Sequence, residues 1–231
     1  MEKIGSPHID CRQDGVDITG SSRTEYLFNS TINGIEKADL ILLIGTNPRF
    51  EATMLNARIR KAFVNNNTKI ISLNNVGELT YEYQCLDGKT KTFKDIIDNN
   101  HEISRKIINS KNPMIILGES FQMLKSANYL FNSLKEFLSK NNKFTKNWNP
   151  LNLLSTDAST VGNLDLDVID NSNTILDDLN KNKFEIIFLV GQDNLDFKKK
   201  DEFIIYQGSH GDRGAEIADI ILPGAAFTEQ S

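Results

Sequence analysis

The chain has 231 residues, 39% of them hydrophobic, and a net charge of −5. That length holds one large or two small domains, the apolar content suffices for a core, and the acidic balance leaves no basic footprint for nucleic acid. No run approaches the roughly 18 apolar residues that cross a bilayer, and Met1–Gly5 shows neither a secretory core nor an Arg-rich presequence, so any membrane association is expected to run through partners. Cys11 and Cys85 stand far apart without Cys or His at ligand spacing. Two free thiols in a reducing compartment are expected, with no disulfide, zinc or iron–sulfur framework. The abundance of Asn, Lys and Ile, as in Asn65-Asn66-Asn67 and Asn141-Asn142, points to A- and T-rich codons and says nothing of function.

Residues 1 to 25 read as irregular, punctuated by Gly5, Pro7, Gly15 and Gly20. Tyr26–Glu36 reads as a helix leading into the first strand. Leu40–Ile44 is an unbroken apolar run, too short for a helix and without alternation, as expected of a strand covered on both faces. Gly45 can take angles that a side chain forbids, and Pro48 removes a ladder donor. A helix is predicted from Glu51 to Phe63, with Met54, Leu55, Ile59 and Phe63 at helical spacing. Strand, Gly-loop, helix is the local form of a nucleotide-binding α/β unit, whose loop faces the ligand crevice. Gly45, Thr46, Asn47 and Arg49 are therefore the candidate cofactor-binding residues.

Thr68–Leu73 is the next predicted strand, and Gly77–Thr90 a polar excursion outside the sheet. Phe93–Ile108 reads as one amphipathic helix with Ile96, Ile97, Ile103, Ile107 and Ile108 inward. Met114–Leu117 is a strand closed by Gly118, and Phe121–Leu138 a longer helix. Asn141–Pro150 is a polar breaker that carries the single Trp, Trp148. Leu151–Leu154 is a short strand, Val161–Asn173 is ambiguous, and Ile175–Asn180 is a short helix. Glu185–Val190, closed by Gly191-Gln192-Asp193-Asn194, is a third Gly-ended strand; Phe203–Tyr206 and Asp219–Leu222 complete the set. Three strands ending in Gly, separated by helices, predict one parallel sheet with its loops along one edge. The expected organisation is one partial domain over 1–231, with a sub-division near 141–150, and a segment of something longer.

His8, His101 and His210 have no partner at catalytic spacing. Gly208–Gly214, around His210, reads either as a nest of N–H groups for an anion or as a tight turn with Asp212 and Arg213 paired or capping. Asp10-Cys11-Arg12-Gln13-Asp14-Gly15 reads either as a loop thiol activated by Arg12 or as a loop without chemistry. Lys198-Lys199-Lys200 reads as a solvated face.

Four blocks carry a resemblance. They are Gly5–Gly15, Tyr26–Ile32, the loop Gly45–Arg49 with Leu55–Arg60, and Ala218–Glu229. Together they resemble the large iron–sulfur subunit of NADH:quinone oxidoreductase, respiratory complex I, in its C-terminal, molybdopterin-oxidoreductase-like domain. The resemblance spans nearly the whole chain, although about 76–180 carries no motif. It implies a Rossmann-like parallel sheet with helices on both faces. In cofactor-bearing relatives the loop matching Gly45–Arg49 helps hold the pterin dinucleotide; in the complex I subunit that site is vestigial and the domain is a scaffold. The resemblance further implies partners among the peripheral-arm subunits and no direct membrane insertion. It implies a place beside an energy-transducing membrane, on the mitochondrial matrix side or the bacterial cytoplasmic side. Iron–sulfur clusters are expected in an N-terminal region that this sequence does not contain, and no catalytic residue, metal ligand or cofactor is expected in the segment. An alternative is part of a molybdopterin-dependent oxidoreductase of the formate dehydrogenase type, with Cys11 placed before the Gly45 loop like a metal-ligating Cys. Against it, Arg12-Gln13-Asp14-Gly15 departs from the residues that usually come after that ligand.

Overall fold

The computed structural model describes residues 5–11, 22–155, 159–168, 175–193 and 197–229. Residues 1–4, Arg12–Gly15 of the Cys11 motif, 169–173 of the ambiguous stretch and Asn194 lie outside the described residues. The chain divides into two units, Gly15–Asp165 and Leu166–Ser231 with Met1–Asp14.

In the larger unit the apolar runs form a parallel sheet of β1 (Leu40–Ile44), β2 (Lys69–Ser72), β3 (Gln84–Cys85), β4 (Pro113–Leu117) and β5 (Leu151–Leu153) in the order β3-β2-β1-β4-β5. Helices fill the crossovers: α1 (Pro48–Glu51) and α2 (Thr53–Asn66) after β1, α3 (Thr90–Ile97) and α4 (Glu102–Asn109) before β4, α5 (Glu119–Gln122) and α6 (Ala127–Lys140) after it; α7 (Thr160–Asp165) follows β5. Alternation along β1 sends Leu40, Leu42 and Ile44 to one face, where Phe93, Ile96, Ile103, Ile107, Phe131 and Leu134 meet them. Ile41 and Leu43 go to the other, against Ile35, Ile59, Ala62, Leu79 and Trp148. The parallel sheet is thus covered by helices on both faces, as the unbroken apolar runs require.

Several predicted helices are interrupted. Tyr26–Glu36 holds no α-helix; 3₁₀ turns at Arg23–Glu25 and Asn33–Lys37 flank a chain reversal with Thr31 at φ 62°. Its polar run Asn29-Ser30-Thr31 bonds elsewhere: Asn29 Nδ2 donates to the Leu151 carbonyl at 2.7 Å and Ser30 Oγ to that of Asn149 at 2.7 Å. The helix predicted at Glu51 starts at Pro48, which suits a first turn, and breaks at Ala52 (φ −150°). Phe93–Ile108 is two helices, because Asn99 turns left-handed (φ 63°) and His101 caps the second, its Nδ1 accepting from the Ile103 N–H at 3.2 Å. Phe121–Leu138 breaks at Met123–Ser126, where Leu124 and Ala127 close i→i+3 turns. In the polar excursion, Gln84–Cys85 returns to the sheet as an edge strand beside β2.

The second unit has its own parallel sheet, β6 (Ile186–Val190), β7 (Phe203–Gly208) and β8 (Ile220–Pro223), with α8 (Ile175–Asn180) before it and α9 (Arg213–Ile217) between β7 and β8. The prediction of one sheet fails here: among the described residues the third Gly-ended strand pairs only with β7, in a separate sheet. An apolar run declares a buried strand but not its partner. Leu189, Ile204 and Tyr206 make this unit's core with Phe197, Ala215 and Ile217.

Candidate crevice at the switch point of the larger sheet

In the five-stranded sheet the strand order reverses between β1 and β4, and ligands of open α/β sheets sit beyond the carboxyl ends of the strands at such a point. The structure brings Gly45, Thr46, Asn47 and Arg49 there, with Gly118 at the end of β4 across from them. What it builds around them is a closed seam. Gly45 adopts φ 61°, and a β-carbon on it would stand 2.4 Å from the Phe121 backbone nitrogen. A β-carbon on Gly118 would stand 2.3 Å from Thr46 Cβ. The Gly118 N–H donates to the Ile44 carbonyl at 3.0 Å, and the Ser120 N–H, in the first turn of α5, donates to the Gly45 carbonyl at 3.1 Å. The Ser120 donor of α5 is thus bonded to the opposite loop.

The polar residues are engaged in the same way. The Asn47 N–H donates to Glu51 Oε1 at 2.6 Å, and Asn47 Oδ1 accepts from the Arg49 N–H at 3.1 Å, so the two side chains cap the N-terminus of α1 reciprocally. Asn47 Nδ2 donates to the Val76 carbonyl at 2.8 Å. Arg49 donates to the Glu78 carbonyl at 2.9 Å and pairs with the Glu78 carboxylate. Thr46 is 2% exposed and its Oγ1 has no hydrogen-bond partner. The partners Val76 and Glu78 were invisible to sequence reasoning, since they come from a loop some thirty residues on. A recess bounded by Arg60, Phe63, Glu78, Thr80, Tyr81 and Glu82 lies on the α2 flank. There burial, and then Tyr83, push the Tyr81 phenol well up, and its hydroxyl donates to Asn56 Oδ1 at 2.7 Å.

The other singled-out residues find structural places. His8 stacks edge-on against Phe184 with ring centroids 5.1 Å apart, and His101 is a helix cap. In the Gly208–Gly214 loop the Gly214 N–H turns inward to Asp193 Oδ1 at 3.0 Å and Tyr206 donates to Asp193 Oδ2 at 3.1 Å, while Asp212 stands at the N-terminus of α9 without a side-chain capping bond. Lys199 is more than a solvated charge: it pairs with Asp219 at 2.6 Å, whose other oxygen accepts from the Ile204 N–H at 2.8 Å. Cys11 is half-buried and Cys85 exposed. Among the described residues no group of three or more His, Cys, Asp or Glu is placed to hold a metal ion, and no helix is long and apolar enough to cross a membrane.

The family model for molybdopterin oxidoreductase matches residues 1–231. The chain is 41% identical, over a 240-residue alignment, to the mitochondrial NADH-ubiquinone oxidoreductase 78 kDa subunit of Candida albicans, covering 100% of this chain and 32% of that protein. It is 37% identical over 225 residues to the NADH-ubiquinone oxidoreductase 75 kDa subunit of Reclinomonas americana, with 96% and 32% covered. It is 35% identical over 232 residues to the mitochondrial NADH dehydrogenase (ubiquinone) iron–sulfur protein 1 of Solanum tuberosum, with 100% and 31% covered. The chain thus spans about a third of the length of these curated relatives.

Proposed function

The chain belongs to the molybdopterin oxidoreductase family, and from that footing we propose that it is a non-catalytic scaffold portion of the large iron–sulfur subunit of respiratory complex I. Its curated homologues are the 75/78 kDa subunit of NADH-ubiquinone oxidoreductase, matched over essentially the whole chain. Its partners are the other subunits of the peripheral arm. Its place is beside an energy-transducing membrane, on the mitochondrial matrix side or the bacterial cytoplasmic side, reached through those subunits and not by insertion. The formate dehydrogenase alternative draws no support from these relatives.

The observation that carries the scaffold reading is the seam between Gly45–Thr46 and Gly118–Phe121. A pterin dinucleotide on this loop would need N–H donors and a cation for its pyrophosphate. Asn47 and Ser120 bond those donors to the protein's own oxygens, and Arg49 stands in a surface ion pair with Glu78. The close approaches at Gly45 and Gly118 are to the protein's own atoms, so neither glycine opens a cradle. The residues present do not fit the group. Gly45, Thr46, Asn47 and Arg49 are accordingly read as a vestigial site, with no cofactor in this segment and the iron–sulfur clusters in the N-terminal part of the longer subunit.

The test is affinity purification of the tagged chain from the cells that make it, with iron analysis of the chain alone. Co-purification with complex I subunits and no stoichiometric iron in the chain are expected. A chain that purifies without those subunits, or that carries stoichiometric iron by itself, would sink the reading.

A further inference from the structure

The polar excursion after β2 lies against the corner between β1 and α2. Three side-chain donors of that corner reach three carbonyls of one short stretch. Asn47 Nδ2 donates to Val76 at 2.8 Å, Arg49 Nη1 to Glu78 at 2.9 Å and Asn56 Nδ2 to Leu79 at 3.2 Å. From Val76 to Leu79 an extended chain covers at most about 11 Å, so the donors converge on one strip of backbone. Leu79 anchors that strip: it is fully buried, in the cluster of Ile41, Ile59 and Ala62. Tyr83 closes its tip, donating to the Gly77 carbonyl at 2.9 Å and accepting from the Val76 N–H at 3.3 Å.

Side chains alone hold the segment. Among the described residues, no backbone–backbone hydrogen bond involves residues 75–83. Stretches without a backbone ladder are those that open locally while the rest stays folded. Two residues of the segment lie in the left-handed region, Gly77 at φ 76° and Thr80 at φ 72°. A β-branched residue is strained there and stays only where its surroundings hold it. Here the buried Leu79 and the Tyr81 hydroxyl, bonded to Asn56 Oδ1, hold it from either side.

We propose that residues 75–83 are a strap that serves as a built-in ligand of the loop: its carbonyls take the donors of Asn47, Arg49 and Asn56, and its local opening frees them for a pyrophosphate group. This rests on the scaffold reading of the loop, since it says what keeps the site shut. Carbonyl and phosphate oxygens accept from the same N–H groups, and phosphate adds charge. The closed strap therefore competes with an anion, and apparent affinity falls by the fraction of molecules in which it is open. Opening leaves Gly45 and Gly118 pressed against Phe121 and Thr46, so the strap guards an anion corner and not a pterin cradle.

The test follows the strap through a thiol. In the full chain, Leu79→Cys reports on the strap and Ile59→Cys on the core beneath it; mass spectrometry of peptides separates both from Cys11 and Cys85. A maleimide should label position 79 at least about tenfold faster than position 59 in native buffer. Inorganic pyrophosphate, against potassium chloride at equal ionic strength, should speed labelling at position 79 at least about threefold by holding the strap open. Position 59 should not respond, and adding Arg49→Ala should abolish the acceleration. Calorimetry on a chain with Val76→Gly, Glu78→Gly and Leu79→Gly, which loosens the strap at constant length, should show pyrophosphate binding at least about tenfold tighter than the parent's. Equal labelling at 79 and 59 overturns the proposal, because the strap then opens only with the whole unit. Labelling at 79 that pyrophosphate leaves unchanged or slows overturns it too. Either result leaves the scaffold reading standing. Low-micromolar binding by the parent with position 79 protected would instead overturn the scaffold reading of the loop, and the strap with it.

Discussion

A β-carbon on Gly45 would stand 2.4 Å from the backbone nitrogen of Phe121, so β1 and α5 meet with no room for a side chain between them. The approach is fixed from both sides: Ser120 donates to the Gly45 carbonyl and Gly118 to that of Ile44. The switch point of the sheet is thereby held shut by the chain's own backbone.

The first prediction rests on that contact. Gly45→Val should destabilise the larger unit through left-handed strain of about 1–3 kcal/mol and overpacking of about 1–3 kcal/mol more. Gly118 has φ −98°, so Gly118→Ala should show the overpacking alone. Urea unfolding followed by Trp fluorescence would measure both. A Gly45→Val variant as stable as the parent would mean that the seam is loose.

Trp148 is the single Trp and sits buried in the core of the larger unit, its indole N–H donating to the Pro113 carbonyl at 2.7 Å. Trp148→Phe keeps most of the ring but strands that buried carbonyl, at a cost of about 1–3 kcal/mol. Denaturant midpoints by circular dichroism should fall accordingly. A change near zero would indicate that water reaches the Pro113 carbonyl.

How much of this was legible in the sequence depended on the kind of signal. Leu40–Ile44 and Met114–Leu117 announced themselves as doubly covered strands, and helices do lie on both their faces. Gly45, Gly118 and Gly191 looked alike as strand-ending glycines. Two are wedged against protein atoms, whereas a β-carbon on Gly191 would meet nothing within 4 Å. Periodicity sees one chain at a time and cannot report which strands pair or what a glycine faces. It also runs over breaks: the isoleucines of Phe93–Ile108 kept helical spacing across Asn99, whose left-handed turn left no apolar trace. The loop residues of the candidate site were found from their position after β1, but their neutralisation by Val76 and Glu78 was a long-range fact.

Asp39 gives a pH-dependent prediction. Burial pushes its carboxyl up, but the Ser110 hydroxyl and the Lys111 and Asn112 N–H groups, the last two at 2.7 and 2.9 Å, outweigh it and hold the pKa below the usual carboxylate range. A group whose pKa is lower folded than unfolded stabilises the fold above its unfolded value, about 4, and loses that stabilisation as pH falls through the folded value. Asp39→Ala should therefore lower stability at pH 7, by about 1 kcal/mol given how exposed the group is, and flatten the loss of stability below pH 4. Unfolding curves from pH 7 to pH 2.5 would check it. Parallel parent and variant curves across that range would remove Asp39 as the source.

The last prediction concerns Arg49. Its pair with Glu78 is open to solvent, the two side chains being 42% and 74% exposed, and such pairs contribute about 0–1 kcal/mol. Arg49→Ala should leave unfolding nearly unchanged. It should also leave nucleotide binding unchanged, because there is little to lose: Arg49 is bonded to Glu78, Asn47 to Glu51 and Val76, and the Ser120 N–H to Gly45. An anion would have to compete with these contacts for the loop's donors. Calorimetry with guanine nucleotides should show dissociation constants no tighter than about 1 mM, a binding free energy of about −4 kcal/mol. A low-micromolar constant in the parent chain that disappears in Arg49→Ala would show a working site at the switch point, and the scaffold reading of this loop would have to be given up.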